Sequence, residues 1–189
     1  PLAPAVLRVV LYNPSQEVAA EMSYELNPTD ILIRNLDNQP LTPHTTIFSG
    51  SAEGEKIDVA IVAEGYTAEE MELFRKDAER TIKALFSHEP FGAMREHFNF
   101  VAVESTSRDS GVSIPRKGEW KESAVSSHFD TFYADRYLTT SAIFRMADLL
   151  VGIPYEHIIV LANTDTYGGG GIYNSYTLTT AHHPSFKPV

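Results

Sequence analysis

The chain contains no cysteine among its 189 residues, so disulfide bridges and thiolate metal sites are both excluded. It contains no apolar run approaching the ~18 residues that a membrane-spanning helix needs. It also lacks a block of basic residues, and its formal net charge is −10. Because proteins bind phosphate backbones through basic surfaces, this charge argues against a nucleic-acid partner. The apolar fraction of 43% is nevertheless that of an ordinary globular protein with a core.

No signal peptide is recognisable in the first residues, because a basic segment followed by an apolar core is missing. Short strand-like segments occur instead at residues 6–12 and 31–33, and the segment between them at 18–26 is ambiguous. Prolines, glycines and acidic residues punctuate the following stretch. We interpret residues 1–40 as the end of an N-terminal β module and residues 41–55 as a linker.

Residues 56–189 show the alternating strands and helices of an α/β domain. Apolar segments predict buried strands of one sheet at residues 57–63, 98–103 and 157–162. Two helices are predicted to pack on that sheet, at residues 67–87 and 140–151.

Capping and periodicity define the two predicted helices. Thr67 and Glu70 have the spacing of a capping box, which marks the start of the first helix. Its apolar stripe recurs at helical spacing, at Phe74, Ala78, Ile82 and Leu85. The second helix is expected to bury Ile143, Ala147 and Leu150. Between the helices, the polar and turn-rich residues 105–127 predict a long loop.

Four consecutive glycines at residues 168–171 form the most distinctive local pattern. They are not a phosphate-binding loop, because that motif ends in Gly-Lys-Ser/Thr before a helix, whereas Ile172 and Tyr173 open a strand. One interpretation is a flexible turn. The other is a backbone that must approach a ligand closely, where side chains would block the contact.

Several other residues have the side chains of catalytic or metal sites. His182 and His183 are adjacent, so on an extended chain they point in opposite directions; we expect them to pack or to form hydrogen bonds. Asp109, Ser110 and His128 have the residue types of a hydrolase triad. The Gly-x-Ser-x-Gly elbow is absent, however, so we interpret these three as polar loop residues.

Two further questions stay open in the sequence. Glu64 follows the first buried strand, at the end where α/β sheets place their sites, and it can equally stabilise the start of the next helix, which we favour. Asp130 and Asp135 can form an ion-pair network with Arg136, or they can be solvated surface residues.

Several short segments of the chain resemble, in sequence and in order, those of the IgA peptidase M64 group of metallopeptidases. The segments are residues 57–67, 110–113, 129–133, 135–138 and the glycine-rich run that continues into Ile-Tyr-Asn-Ser. The resemblance covers roughly residues 56–189. It implies a zincin-like α/β fold with a mixed sheet and packed helices, of which this chain holds the N-terminal part. It also implies a location outside the cell or at its surface, secreted, cell-surface or periplasmic.

The resemblance further implies a zinc-dependent peptidase that hydrolyses peptide or protein substrates. Its zinc motif, His-Glu-x-x-His on a helix, is absent from these residues, so we expect it beyond Val189 and expect no catalytic residue and no bound zinc in this chain. In zincins an edge strand before the metal helix pairs with the substrate, and residues 172–180 stand in that place. The substrate-facing residues are then Gly170, Gly171, Ile172, Tyr173, Asn174 and Tyr176.

Two other functions are compatible with the sequence. One is a non-catalytic α/β module that captures a peptide or glycan. The other is a scaffold within a bacterial surface protein, in which the polar loop at residues 105–127 contacts a partner.

Overall fold

A computed structural model of the chain describes residues 3–31 and 40–183. The chain divides into two compact units, Pro1–Pro40 and Leu41–Val189. The first unit contains a β-hairpin, and the second contains a six-stranded sheet with helices. Within the described ranges, no helix has both the length and the apolar character needed to cross a bilayer.

The first unit pairs strands β1 (Ala5–Tyr12) and β2 (Val18–Leu26) antiparallel, so the ambiguous segment is a strand. Because directly opposite residues share a face, the register gathers apolar side chains on one side. Large exposed members of that face are Leu7, Val9, Leu11, Met22 and Tyr24. The strand expected at residues 31–33 lies mostly outside the described residues. That residues 1–40 end a β module stays a prediction.

The second unit is built on a mixed sheet. Its strands are β3 (His44–Ser49), β4 (Ile57–Glu64), β5 (Phe98–Val103), β6 (His157–Ala162), β7 (Gly169–Ile172) and β8 (Tyr176–Thr180). Their order across the sheet is β3-β5-β4-β6-β8-β7. The central strands β5, β4, β6 and β8 are parallel, and the outer strands β3 and β7 are antiparallel to their neighbours. The carboxyl ends of the four parallel strands therefore meet at one edge of the sheet.

The three predicted core strands are confirmed as neighbours in this sheet, and β4 is buried on both of its faces. One face is covered by α1 (Met71–Phe86), which follows a short 3₁₀ turn at Ala68–Glu70. The predicted stripe of α1 is confirmed, because Phe74, Ala78 and Ile82 are buried in the cluster on this face.

The other face is covered by the long loop and by α2 (Ile143–Leu149). This helix is shorter than predicted, since the Thr140 hydroxyl accepts a hydrogen bond from the N–H of Ala142 (3.0 Å) in a turn that precedes it. The predicted buried face is also wrong in part. Met146 is buried together with Leu150, whereas Ile143 and Ala147 are exposed.

Residues 41–55 are not a linker throughout, because β3 lies within them and pairs with β5. Glu104, directly after β5, accepts a hydrogen bond from the Thr45 hydroxyl (3.0 Å) and two from the guanidinium of Arg75 (3.0 and 3.1 Å). These bonds tie β3 and α1 to the end of β5. Paired hydrogen bonds from Arg75 also lower the pKa of Glu104.

The prediction of one continuous edge strand at residues 172–180 is wrong. The chain turns between Ile172 and Tyr176, and β7 and β8 form a hairpin. Asn174 in this turn has a φ of 55°, a left-handed conformation that asparagine tolerates better than most residues. The outermost strand is therefore β7, and β8 lies inside the sheet between β6 and β7.

Candidate functional site

Glu64, the last residue of β4, is completely buried at the carboxyl end of the sheet. Its carboxylate accepts hydrogen bonds from the hydroxyls of Ser123 and Ser127 (2.6 Å each) and from the backbone N–H groups of Val125 and Ser127 (2.8 Å each). These four donors satisfy a buried carboxylate that pairs with no cation among residues 3–31 and 40–183. The interpretation of Glu64 as a residue that stabilises the start of α1 is therefore wrong, since it fixes the long loop.

A second polar network joins α1 to the segment that follows β8. The buried Asp77 accepts a hydrogen bond from the Tyr66 hydroxyl (2.9 Å) and lies 2.8 Å from the guanidinium of Arg80. Nε2 of His182 lies 3.1 Å from Asp77 Oδ2 and 3.1 Å from Asn163 Oδ1. Since both neighbours are acceptors, Nε2 carries a hydrogen. Burial and the adjacent Asp77 carboxylate raise the pKa of Tyr66, which keeps its hydroxyl a donor.

Glu70 extends the polar contacts along the same edge of the sheet. Its carboxylate accepts hydrogen bonds from the Thr67 N–H (2.9 Å), which belongs to the predicted capping box, and from the Ser110 hydroxyl (2.8 Å). Partial burial acts to raise the pKa of Glu70, but the hydrogen bonds from Thr67 and Ser110 outweigh it and lower that pKa. The carboxylate is therefore held in its ionised form.

We expect Glu70 to make the second unit less stable at acidic pH. Because its pKa is lowered by folding, its contribution is complete above the unfolded pKa of about 4.3 and is lost as the pH falls through the folded pKa. In urea unfolding from pH 7 to pH 3, Glu70→Gln should lose less stability below about pH 4.3 than the wild type. The exposed Glu69→Gln is the control and should follow the wild type. Equal acid sensitivity of Glu70→Gln and wild type would contradict this role.

The glycine run at residues 168–171 is explained mostly by internal packing. A Cβ atom at Gly168 would lie 2.5 Å from the backbone oxygen of Arg136 and would overlap the ring of Phe129. At Gly170 it would lie 3.0 Å from the backbone oxygen of Leu138. These internal contacts account for a glycine at position 170 without a ligand. Gly171 differs, since, apart from its two chain neighbours, no heavy atom of the described residues lies within 4 Å of a Cβ built there.

Within the part of the chain that the structure describes, the outer edge of β7 is covered at its start and open farther along. Gly169 donates a hydrogen bond to the backbone oxygen of Arg136 (3.1 Å) and accepts one from the N–H of Leu138 (3.3 Å), so a short parallel bridge occupies the edge there. Backbone groups alternate in direction along a strand, so those of Gly171 point the same way as those of Gly169, away from β8. Gly171 therefore presents an N–H and a C=O at the open part of the edge.

The other residues predicted to contact substrate are placed unequally. Ile172 ends β7 and packs partly against the core, and the exposed Tyr173 and Asn174 form the turn. Tyr176 is buried, and its hydroxyl both donates to the Thr140 backbone oxygen (2.6 Å) and accepts from the Thr140 N–H (2.8 Å). The assignment of Tyr176 as a substrate-facing residue is therefore wrong, since its ring and hydroxyl are used inside the fold.

The residue types of a hydrolase triad do not come together. Asp109 accepts a hydrogen bond from the N–H of Glu122 (2.8 Å), Ser110 donates to Glu70, and Nδ1 of His128 lies 2.7 Å from the backbone oxygen of Phe129. Their interpretation as polar loop residues agrees with these separate partners.

The ion-pair network suggested for Asp130 and Asp135 with Arg136 is also wrong. Asp130 accepts hydrogen bonds from the side chain (2.5 Å) and the backbone N–H (2.8 Å) of Arg116. Asp135 contributes only its backbone oxygen, which accepts from the same guanidinium (2.9 Å). Arg136 takes no part, and its guanidinium carbon lies 5.6 Å from the centroid of the Tyr137 ring.

The described residues do not fit a zinc site. In residues 3–31 and 40–183, no three histidine, aspartate or glutamate side chains are grouped so that they could hold a metal ion. The two adjacent histidines diverge, because His182 is bonded to Asp77 and His183 lies 5.1 Å from the ring of Tyr167.

Two alanine substitutions distinguish a glycine packed inside the fold from a glycine on the open edge of β7. Gly168→Ala is expected to lower the free energy of unfolding by about 1–3 kcal/mol, because its methyl group meets backbone that cannot move away. Gly171→Ala should change it by less than about 0.5 kcal/mol. Urea unfolding of both variants checks the difference. Equal effects would show that β7 does not pack as described.

Fold and site together define an α/β domain with polar networks at the carboxyl ends of its parallel strands and an open antiparallel edge at Gly171. The chain belongs to the IgA peptidase M64 family, which matches residues 46–186 and confirms the resemblance seen in the sequence. The match begins within β3, so it includes the sheet of the second unit. A peptidase family implies protein or peptide substrates. No curated protein matches the chain.

Proposed function

We propose that this chain is the sheet-bearing part of a zincin-like, zinc-dependent metallopeptidase, and that β7 binds the main chain of the substrate. The observation that carries the proposal is the open edge at Gly171, where an N–H and a C=O point away from the sheet. An extended peptide adds to such an edge through main-chain hydrogen bonds, and these do not depend on its side chains.

The surroundings of Gly171 support this binding mode. The absence of a side chain leaves room for a second backbone at the usual strand spacing of about 4.8 Å. The bridge at Gly169 fixes the start of β7 to the segment around Tyr137, so the edge is held in place before a peptide arrives. Because the edge is already ordered, the entropic cost of binding a peptide is lower.

Zinc binding in this proposal depends on residues outside the described ranges. The described residues offer no ligand set, and we assign no catalytic step to them. Their contribution is structural: the networks around Glu64 and Asp77 hold the long loop and the segment after β8 near the carboxyl ends of the parallel strands.

The proposal is tested with the protein produced from its complete coding sequence. We expect it to hydrolyse extended peptides, to lose this activity after treatment with a chelator, and to recover it with zinc. The 189-residue chain alone should not hydrolyse them. Activity that survives complete metal removal would overturn the zinc dependence. Binding of peptides without any hydrolysis would instead identify a non-catalytic binding module.

A further inference from the structure

A small surface pocket lies at the covered start of the β7 edge. Its volume is about 190 Å³, and it is lined by Arg136, Tyr137, Tyr167, Gly168 and Gly169. At about 3.3 Å per strand residue, Gly169 is some 7 Å along the strand from Gly171. A side chain of a peptide paired at Gly171 is therefore long enough to reach the pocket.

Arg136 provides a positive charge in this pocket, and no carboxylate in residues 3–31 and 40–183 forms an ion pair with it. Among the described residues, no carboxylate lies within ion-pairing distance of its guanidinium, which instead lies over the ring of Tyr137. The nearby Arg116 differs, since it is paired with Asp130. In a chain with 25 acidic and 15 basic residues, an arginine that pairs with none of the described carboxylates is available to bind a carboxylate of another molecule.

The segment that carries Arg136 is held in an unusual conformation. Asp130, Phe132 and Tyr133 have φ values of 64°, 54° and 58°, in the left-handed region that side-chain-bearing residues rarely adopt. The Thr131 hydroxyl closes the segment by donating to the backbone oxygen of Tyr137 (3.0 Å). Clusters of strained backbone are found preferentially at ligand-binding sites.

We propose that Arg136 is a specificity-determining residue and that this pocket binds a carboxylate of the substrate peptide, with the rings of Tyr137 and Tyr167 against its aliphatic part. The carboxylate belongs to an acidic side chain or to the C-terminus of the peptide. This inference rests on the proposed function, because it takes the peptide to be paired with β7. An arginine fork binds a carboxylate through two parallel hydrogen bonds, which gives both affinity and direction.

The test uses the complete protein and matched peptides. One pair differs only by Glu or Gln at a single position, scanned along the peptide, and another pair has a free or an amidated C-terminus. We expect kcat/KM to favour the charged member of one pair by about tenfold or more, as hydrogen bonds to charged groups do. The pair that shows the preference identifies the source of the carboxylate. The preference should weaken as the salt concentration rises.

Variants assign the preference to this pocket. Arg136→Gln should reduce the ratio of kcat/KM between charged and neutral peptides to about one, and Arg136→Lys should keep part of it because the charge remains but the fork is lost. Lys83→Gln removes one exposed positive charge from α1 and should leave the ratio unchanged. Hydrolysis of both members of every pair at equal rates by the wild type would overturn the inference while leaving the proposed function intact. Failure to bind or hydrolyse any peptide would overturn both.

Discussion

Glu64→Gln is expected to lower the free energy of unfolding of the second unit by about 3 kcal/mol or more, because it places an amide N–H₂ among hydrogen-bond donors in a buried site. The serine hydroxyls can rotate to accept, but the N–H groups of Val125 and Ser127 are fixed by the backbone. At least one of these buried donors then loses its partner. Because Glu64 is completely buried, water from the solvent does not replace the lost hydrogen bonds.

Urea unfolding of Glu64→Gln measures this effect, and Glu69→Gln provides the control of the same chemical change on an exposed residue. Limited proteolysis gives a second readout, since the loop at residues 105–127 should be cut faster in Glu64→Gln than in the wild type. A Glu64→Gln protein with wild-type stability and an uncut loop would show that the four hydrogen bonds do not hold this region.

Gly171→Pro is expected to lower kcat/KM of the complete protein for extended peptides by about 10- to 100-fold, the effect of losing one or two hydrogen bonds made in the bound complex. Proline has no N–H, and its ring fills the open edge. The fold should persist, because the N–H of Gly171 points away from β8 and prolines are tolerated on edge strands.

Gly171→Ala is the matched variant for this prediction, because it adds a methyl group but keeps the N–H. It should lose much less activity than Gly171→Pro, and both should have circular dichroism spectra like that of the wild type. If Gly171→Pro retained full activity in a folded protein, the substrate would not pair at this edge.

The sequence predicts the elements whose apolar pattern is continuous. β4, β5 and β6 are recognisable because both of their faces are buried, and α1 because its apolar stripe follows the helical period. β3 shows no such pattern, because an edge strand with mostly exposed side chains has a composition similar to that of a polar loop. The turn at Asn174 is hidden because Ile172, Tyr173 and Tyr176 around it favour strands.

The contacts of the site depend on sequence separations that a local pattern cannot reveal. Glu64 is bonded to residues about sixty positions later, and the choice of Arg116 rather than Arg136 as the partner of Asp130 depends on how the loop closes. The sequence predicts that His182 packs or forms hydrogen bonds. It does not reveal the partner, because Asp77 lies on a helix more than a hundred residues earlier. The glycine run shows that close backbone contact is needed, without showing whether the contact is internal or with a ligand.

Amide hydrogen exchange at Gly171, measured in the complete protein with and without a slowly cleaved extended peptide, tests the central claim most directly. If the peptide pairs with β7, exchange at Gly171 should slow when the peptide is bound, while Leu178, already paired with Gly170 inside the sheet, should change little. Unchanged exchange at Gly171 with saturating peptide, or slowing confined to other segments, would contradict substrate binding at this edge.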